Sequence, residues 1–307
     1  MSLALCMVLK DQANHIAGCL EPIIDLLDEV VIIDTGSTDG TPQLIRQRFG
    51  IEVQHGQQEA SRCYCLCDLK NRAFGQASAD WILVLDADER IRPQSLAEFR
   101  QMKHAADTDG YFCRWSNYLQ GEPAFEDYKL FLFRRGFQTR GLLHDNVQID
   151  IREKGGRAAW LAGMEVDHFP DAARMEDKTR LYRERLQSAL RMEPGWHRHH
   201  WFLGYMNFQA GNTDAATRHL MAAANSSSPL FPVERLNSGM VLAEIYARQH
   251  DHATLGRHLE AMRGYYSRMA GDFEVAINFR LPGWIARSER ACAAGEFEAI
   301  RAYRFAR

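Results

Sequence analysis

Apolar residues in the first ninety positions occur in short unbroken runs, separated by stretches with helical spacing. The runs at residues 2–10, 29–34 and 81–85 each end in charge. Runs of this length are typical of strands buried on both faces of a parallel sheet. Residues 16–23 and 68–78 instead place apolar side chains three and four positions apart. This alternation predicts an α/β domain with a mostly parallel sheet and crossover helices.

The pattern changes twice farther along the chain. Residues 110–170 contain strand-like segments rich in aromatic side chains, and helical spacing takes over afterwards. Residues 197–228 match tetratricopeptide spacing, and a weaker copy covers residues 242–262. We therefore predict an α/β domain over residues 1–172 and an all-α, tetratricopeptide-like domain over residues 173–307.

Composition narrows the class of protein. The chain has 37 Lys and Arg against 40 Asp and Glu, a net charge of -3, so no broad basic field indicates nucleic acid. No apolar run is long enough to span a membrane, and the N-terminus lacks the order of a signal peptide. The seven cysteines suit reduced thiols in a cytoplasm. Cys63, Cys65 and Cys67 are spaced too closely for a typical zinc site, which favours cysteines with no shared purpose.

Carboxylates follow two of the predicted strands. Asp34 ends one and is followed by a Gly-, Ser- and Thr-rich turn, in which Thr38 or Asp39 can cap the next helix. Asp86 and Asp88 follow the predicted strand at residues 81–85, and α/β sheets bind their ligands beyond the carboxyl ends of such strands. Two acids this close need a cation between them, and a divalent metal that bridges phosphates is the usual solution. The alternative is that both acids cap a turn. Residues 51–53 predict a further short strand.

Several segments together carry a resemblance to a known family. They are Leu3–Asp11, Ile33–Thr41, Leu69–Asn71, Asp80–Glu89, Leu132–Arg134, Gly141–Asp145 and His168–Phe169. In this order they resemble the family-2 glycosyltransferases of GT-A fold, in the bacterial branch where tetratricopeptide-like helices follow the catalytic domain. Asp11-Gln12 stands where that branch has Asn-Glu, Lys70 where it has Arg, and Asp145 where it has Glu.

The resemblance implies an inverting transferase that uses a nucleotide-sugar donor, most simply a UDP-sugar, with Mg²⁺ or Mn²⁺. In that interpretation Asp88 is a metal ligand, and Asp86 binds the ribose or shares the metal through water. His168 is the second protein ligand. The metal would stabilise the charge of the departing diphosphate.

Further donor contacts follow from the same resemblance. Asp34 would contact the uracil or ribose, and Thr35 and Ser37 would line the same turn. Lys70 would pair with a phosphate as a point charge. The alternative for Lys70 is a solvated lysine on a helix surface.

The general base has two candidates. Inversion needs a carboxylate beside the acceptor nucleophile, on the face opposite the leaving diphosphate. Asp145 is the first choice, with His144 beside it as an orienting group or a neighbour of the metal. The acidic pair Glu126-Asp127, which precedes a Leu-x-x-Arg segment, is the rival.

Two other clusters are weaker candidates. The segment from Trp196 to Trp201 contains three histidines, which we expect on a solvated helical face rather than around a metal. Aromatic residues are frequent in the presumed acceptor half, where core packing is favoured over sugar stacking. They are Trp115, Tyr118, Phe125, Tyr128 and Phe131.

The expected partners are a nucleotide-sugar donor and a glycan, lipopolysaccharide-core, lipid-linked or protein acceptor. The helical domain could recognise the acceptor or build a homo-oligomer. We expect a cytoplasmic enzyme, with the periphery of the inner membrane as a second location. The alternative function is an adaptor that binds a nucleotide sugar without turning it over. A nucleotidyltransferase is disfavoured, because no glycine-rich basic loop follows the first strand.

Overall fold

The computed structural model of the protein describes residues 1–56, 66–102, 107–119, 121–170, 175–276, 278 and 280–303. The chain forms two compact units, the first ending at Lys178 and the second beginning at Thr179. A domain boundary between residues 172 and 173 stays a prediction.

One mixed sheet forms the centre of the first unit. Its strands are β1 (Leu3–Leu9), β2 (Glu29–Asp34), β3 (Gln54–His55), β4 (Trp81–Val84), β5 (Glu89–Ile91), β6 (Gly110–Leu119), β7 (Glu122–Arg134) and β8 (Ala158–His168). Their order across the sheet is β3-β2-β1-β4-β7-β6-β8-β5. β1 runs parallel to β2 and β4, β2 to β3, and β6 to β8. β7 runs antiparallel to β4 and β6, and β5 to β8. The predicted α/β domain with a mostly parallel sheet is confirmed.

The central strands are buried because their residues are apolar on both faces. Leu3 and Leu5 of β1, Ile32 of β2 and Leu83 of β4 are all 0% exposed. Each such side chain stabilises the fold by about 1.5–3 kcal/mol relative to an exposed position. On one side of β4, the Trp81 ring lies 5.4 Å from the ring centres of both Phe99 and Tyr111. This packing fixes the position of the residues that follow β4.

Short helices connect these strands. They are α1 (Ile16–Leu20), α2 (Thr41–Phe49), α3 (Cys67–Gln76), α4 (Pro93–Gln101) and α5 (Gln148–Glu153). The predicted position of the short third strand, residues 51–53, is wrong. β3 is at Gln54–His55, where it pairs with Ile33 and Asp34. Ile51 and Val53 instead pack against the core before the ladder begins.

The second unit is helical in its described part. Its helices are most of α6 (Met175–Met192), whose first four residues belong to the first unit, α7 (His197–Gln209), α8 (Thr213–Ala224), α9 (Pro232–Arg248), α10 (His252–Met269), α11 (Phe273–Ala276) and α12 (Leu281–Ala294). A Cβ on Gly204 of α7 would lie 2.7 Å from Cγ of Leu220, so glycine permits the close approach of α8. The tetratricopeptide character of these helices stays a prediction. Among the described helices, none is both long and apolar enough to cross a membrane.

The histidines at the start of α7 are more buried than expected. His199 is 0% exposed, and its Nε2 lies 2.9 Å from Oε2 of Glu193. Nδ1 of His200 lies 2.9 Å from Nδ1 of His219 on α8, and burial lowers the pKa of His200 to about 4. The expectation that these histidines cover a solvated face is therefore wrong, because α8 and the loop before α7 pack against them.

Candidate active site

The carboxyl ends of β1, β2 and β4 lie at one edge of the sheet, because these strands are parallel neighbours. Leu9 of β1 is in register with Asp34 of β2. β4 ends at Val84, and Asp86 and Asp88 follow it at the same edge. Open α/β sheets bind their ligands in the crevice at this edge.

The Asp34 carboxylate organises the turn after β2. Its Oδ2 accepts hydrogen bonds from the N–H groups of Gly36 (2.9 Å) and Ser37 (3.0 Å), and its Oδ1 accepts one from the Ser37 hydroxyl. The Thr35 hydroxyl donates to the carbonyl of Leu9 at 3.2 Å. Gly36 has a φ of +99°, which an L side chain rarely adopts. The three residues predicted to line the donor site thus lie together on one tight turn.

Asp39 stabilises the start of α2 from outside the helix. Gly40, with a φ of 86°, is the N-cap residue, and no side chain caps there. Asp39 Oδ1 accepts from the N–H of Thr41 at 3.0 Å, and its Oδ2 accepts from the N–H of Ala13 at 2.9 Å. Thr38 or Asp39 as the N-cap residue is therefore wrong, although Asp39 does satisfy the first amide of the helix.

Asp86 is ion-paired with a lysine from β7. Nζ of Lys129 lies 3.4 Å from Oδ2 of Asp86 and 2.8 Å from Oε1 of Glu89. Glu89 is 0% exposed, and its Oε2 accepts a hydrogen bond from the N–H of Asp86 at 2.7 Å. Glu89 therefore holds the turn that carries Asp86, and Lys129 forms an ion pair with each of the two carboxylates.

This triad shifts the pKa values of its members. The Lys129 ammonium lowers the pKa of Asp86 to about 2, against the opposing effect of burial. Burial raises the pKa of Glu89. Burial also acts to lower the pKa of Lys129, but the charges of Asp86 and Glu89 outweigh it and raise that pKa. Asp86 is thus a carboxylate, and Lys129 an ammonium, throughout the neutral range.

Asp88 and His168 face each other across the next pair of strands. β5 pairs with the end of β8, so that Glu89 is in register with His168. The N–H of Phe169 donates to the carbonyl of Asp88 at 2.9 Å. Nε2 of His168 lies 3.4 Å from Oδ2 of Asp88, and the side chains are 18% and 19% exposed. Eighty residues apart in sequence, the two predicted metal ligands are brought together.

The carboxylate of Asp88 and the imidazole of His168 are suitable ligands for a divalent metal whose other coordination positions stay open. Among the described residues, no group of three His, Cys, Asp or Glu side chains is arranged to hold a metal. Two protein ligands suffice for a divalent metal when substrate phosphates and waters complete the shell, and an imidazole among them favours a transition metal such as Mn²⁺ over Mg²⁺. Asp88 and His168 would supply them, because Asp86 is engaged with Lys129. Cys63 and Cys65 lie outside the described residues.

Lys70 and Asp145 form an ion pair. Nζ of Lys70 lies 2.8 Å and 3.1 Å from the two carboxylate oxygens of Asp145, and the side chains are 20% and 17% exposed. The Thr139 hydroxyl donates to Oδ2 of Asp145 at 2.8 Å. Burial acts to lower the pKa of Lys70, but the charge of Asp145 outweighs it and raises that pKa. The solvated-lysine alternative is therefore wrong.

The loop that carries Asp145 is fixed to α3. Asn71 Nδ2 donates to the carbonyl of Thr139 at 2.9 Å, and the Thr139 N–H donates to Asn71 Oδ1 at 2.8 Å. His144, before Asp145, has a φ of +51°, an uncommon conformation for a non-glycine residue. The predicted segments Leu69–Asn71 and Gly141–Asp145 thus meet.

The rival acidic pair lies on β7. Asp127 is in register with Trp115, and its Oδ1 accepts from the N–H of Tyr128 at 2.8 Å. Residues two positions apart on a strand share a face, so Asp127 is on the same face as Lys129. Glu126 is exposed and belongs to the other face. Asp127, rather than Glu126, is therefore the member of the pair on the side that carries Asp86.

The aromatic residues divide between core and site. Phe131 is 0% exposed, in agreement with core packing. Trp115 stacks on the His168 ring, with centroids 4.9 Å apart and planes at 25°. Tyr118 stacks on Phe169 at 4.9 Å, and Phe169 is 36% exposed. The rings of β6 and the end of β8 thus border the Asp88–His168 contact.

Three residues of the site were not predicted. They are Glu89, Lys129 and Asn117. Glu89 directly follows the Asp86-Ala87-Asp88 segment, but nothing in the sequence indicates that this third acid is fully buried. Lys129 and Asn117 carry no local signal, because their partners are 40 and 51 residues away in the sequence.

Two known proteins are similar to parts of this chain. A TPR repeat-containing protein of Synechococcus elongatus is 35% identical over 97 residues, which are 32% of this chain and 23% of that protein. The glycosyltransferase SunS of Bacillus phage SPbeta is 20% identical over 274 residues, 85% of this chain and 63% of that protein. The chain thus spans less than two thirds of the length of either relative.

Among solved structures, S. aureus TarS 1–349 gives a TM-score of 0.44 at 13% identity, covering 100% of this chain and 94% of that one. Glucosyl-3-phosphoglycerate synthase from Mycobacterium tuberculosis, in complex with Mn²⁺ and UDP-glucose, gives 0.42 at 13% identity, covering 62% and 78%. The sequence model of glycosyl transferase family 2 matches residues 5–160, just over half of the chain, which includes Asp34, Asp86, Asp88 and Asp145 but ends before His168. The chain belongs to glycosyl transferase family 2.

Proposed function

We propose that the protein is an inverting, metal-dependent glycosyltransferase that moves a sugar from a UDP-linked donor to a glycan, lipopolysaccharide-core or protein acceptor. The observation that carries this proposal is the contact between Asp88 and His168, at 3.4 Å, beside the Asp86–Lys129 pair. A carboxylate and an imidazole at this edge of the sheet suit a metal that binds a diphosphate.

The donor side would be built from the strand ends. The Asp34 turn would hold the base and ribose, and Asp86, kept ionised by Lys129, would accept a hydrogen bond from a ribose hydroxyl. Asp88 and His168 would hold the metal, which when bound supplies charge stabilisation for the departing diphosphate. The Lys129 and Lys70 ammonium groups add positive charge near the same edge, which favours a polyanionic ligand.

The acceptor side would be built from β6, β7 and the loop at His144. A base must take the proton of the acceptor hydroxyl as the sugar carbon inverts. Asp145 would be this base. Because it is ion-paired with the Lys70 ammonium, its uptake of the acceptor proton would break that ion pair. Asp127 is the alternative, on the same face of β7 as Lys129.

The helical unit would bind the acceptor or a second copy of the chain. We place the enzyme in the cytoplasm, with attachment to the inner membrane as the alternative. An adaptor that binds the donor without turnover remains the competing function. It predicts donor binding with no release of nucleotide in the presence of any acceptor.

A thermal-shift panel tests the donor class. UDP-, GDP-, CMP- and TDP-sugars are added with and without Mn²⁺, and the unfolding temperature is measured. A ligand at a hundred times its Kd stabilises the folded state by about 2.7 kcal/mol, which corresponds to a rise of several degrees. We expect one UDP-sugar to give this rise only with Mn²⁺. A panel that stays silent throughout would contradict the proposal.

A further inference from the structure

Asn117 on β6 contacts the predicted metal ligand His168 at Nδ1, the ring nitrogen that does not face Asp88. Its Oδ1 lies 2.6 Å from Nδ1 of His168, and the two residues are in register between β6 and β8. Asn117 is 3% exposed, so water does not compete for this hydrogen bond. The contact therefore defines which ring nitrogen of His168 carries its proton.

An amide oxygen can only accept a hydrogen bond. At 2.6 Å one proton must lie between Oδ1 and Nδ1, because two acceptors would repel each other at that distance. With the Asn117 amide in this orientation, Nδ1 of His168 is the nitrogen that carries the proton. In a neutral ring, Nε2 then presents its lone pair, and Nε2 is the atom that faces Asp88 at 3.4 Å.

A second contact fixes the ring plane. Trp115 stacks on His168 at 4.9 Å with an angle of 25° between the planes. Together with the hydrogen bond to Asn117, the stack leaves the imidazole no free rotation about its last bond. Trp115 and Asn117 lie two residues apart on β6, and both therefore project from the same face of the strand.

The buried amide of Asn117 is retained at some cost to stability. Among the described residues, its Nδ2 is buried and has no hydrogen-bond partner. A buried donor without a partner destabilises a fold by about 1–3 kcal/mol. An apolar residue of the same size would avoid this cost, so the stability of β6 alone does not explain an asparagine here.

We propose that Asn117 is a positioning residue that holds His168 in the Nδ1-protonated tautomer, with the lone pair of Nε2 directed at the metal position beside Asp88. The proposal rests on the proposed function for the identity of the ligand, but the tautomer is a property of the protein without metal. Partners of this kind typically change metal affinity by about 10–100-fold when they are removed.

Two substitutions separate positioning from packing. Asn117→Asp keeps an oxygen acceptor facing Nδ1, whereas Asn117→Leu keeps the volume and removes the acceptor. Ser116→Ala, which changes the residue immediately before Asn117 on β6, is the matched control. His168→Gln removes the proposed metal ligand itself. Each full-length variant is checked for its unfolding temperature before use.

The first readout is the ¹⁵N NMR spectrum of the histidine rings in metal-free protein, at a pH where His168 is neutral. We expect Nδ1–H in the wild type, in Ser116→Ala and in Asn117→Asp, and a shift toward Nε2–H in Asn117→Leu. A wild type with Nε2–H, or an Asn117→Leu variant with an unchanged tautomer, would overturn the proposal.

The second readout is the Kd for Mn²⁺ in the presence of UDP, measured by electron paramagnetic resonance. We expect Asn117→Asp to bind within a few-fold of the wild type and Asn117→Leu about 10–100-fold more weakly, as His168→Gln does. Asn117→Leu and His168→Gln combined should lose no more than His168→Gln alone. If the wild type binds no Mn²⁺, the metal part of the proposed function fails, and the tautomer measurement still decides the role of Asn117.

Discussion

Replacement of Asp88 by asparagine is expected to reduce sugar transfer by about 10²–10³-fold, the usual effect of removing one group that stabilises transition-state charge. The substitution keeps the shape of the side chain and removes its charge. The carbonyl of Asp88 still accepts the hydrogen bond from Phe169, so the turn should persist. The measurement is the initial rate of nucleotide release from the donor that the thermal-shift panel selects.

The control for this variant is Asp25→Asn, which removes an exposed carboxylate from the same unit. It should leave both the rate and the unfolding temperature unchanged. If Asp88→Asn unfolds at the wild-type temperature and still releases nucleotide at the wild-type rate, then Asp88 does not hold a metal needed for transfer.

Asp145→Asn is expected to reduce transfer by about 10²–10⁴-fold, if Asp145 is the general base. Donor binding should change little, because the base acts on the acceptor. The substitution also removes one partner of the ion pair with Lys70, at 2.8 Å, and the free energy of unfolding should fall by about 1–3 kcal/mol. Transfer rates are therefore compared at a temperature well below the unfolding transition.

Asp127→Asn is the companion variant, and Lys70→Gln is the control for the ion pair. Lys70→Gln removes the same pair but leaves the Asp145 carboxylate in place. We assign the base to Asp145 if two results are found together. Asp145→Asn must lose most of its transfer rate while it binds the sugar donor normally, and Lys70→Gln must bind the sugar donor more weakly. A large loss in Asp127→Asn alone moves the base to β7. Full transfer by both aspartate variants would exclude both assignments.

The ends of the central strands could be predicted because the information is local. An apolar run such as residues 81–85 has one stable position in an α/β domain, and the acids that follow it must then lie at the sheet edge. The resemblance added His168 to this set, and the structure brings it within 3.4 Å of Asp88. The strand expected at residues 51–53 was misplaced by a few residues, since β3 lies at Gln54–His55, and β5 at Glu89–Ile91 was not predicted.

The partners of these acids could not be predicted, because they come from distant segments. Lys129 reaches Asp86 and Glu89 only because β7 runs antiparallel beside β4. Lys70 and Asp145 were assigned separate roles, and their 75-residue separation gives no local sign of a contact. Side-chain pairing of this kind depends on strand order and register, which hydrophobic patterns alone do not specify.

Burial in the helical unit was also underestimated. The histidine-rich start of α7 was expected to lie on a solvated face, yet His199 is fully buried and its Nε2 lies 2.9 Å from Oε2 of Glu193. A polar side chain tolerates burial when it has a hydrogen-bond partner. Periodicity predicted the helices but not which of their polar residues would find such partners.

The most direct test of the central claim is an isothermal titration of the full-length protein with the selected UDP-sugar, in Mn²⁺ and in metal-free buffer. The claim is that Asp88 and His168 hold a metal that binds the donor diphosphate. It predicts one donor per chain, a Kd at least about tenfold lower with Mn²⁺, and loss of this metal effect in Asp88→Asn. A Kd that is the same with and without metal, or a metal effect that persists in Asp88→Asn, would contradict it.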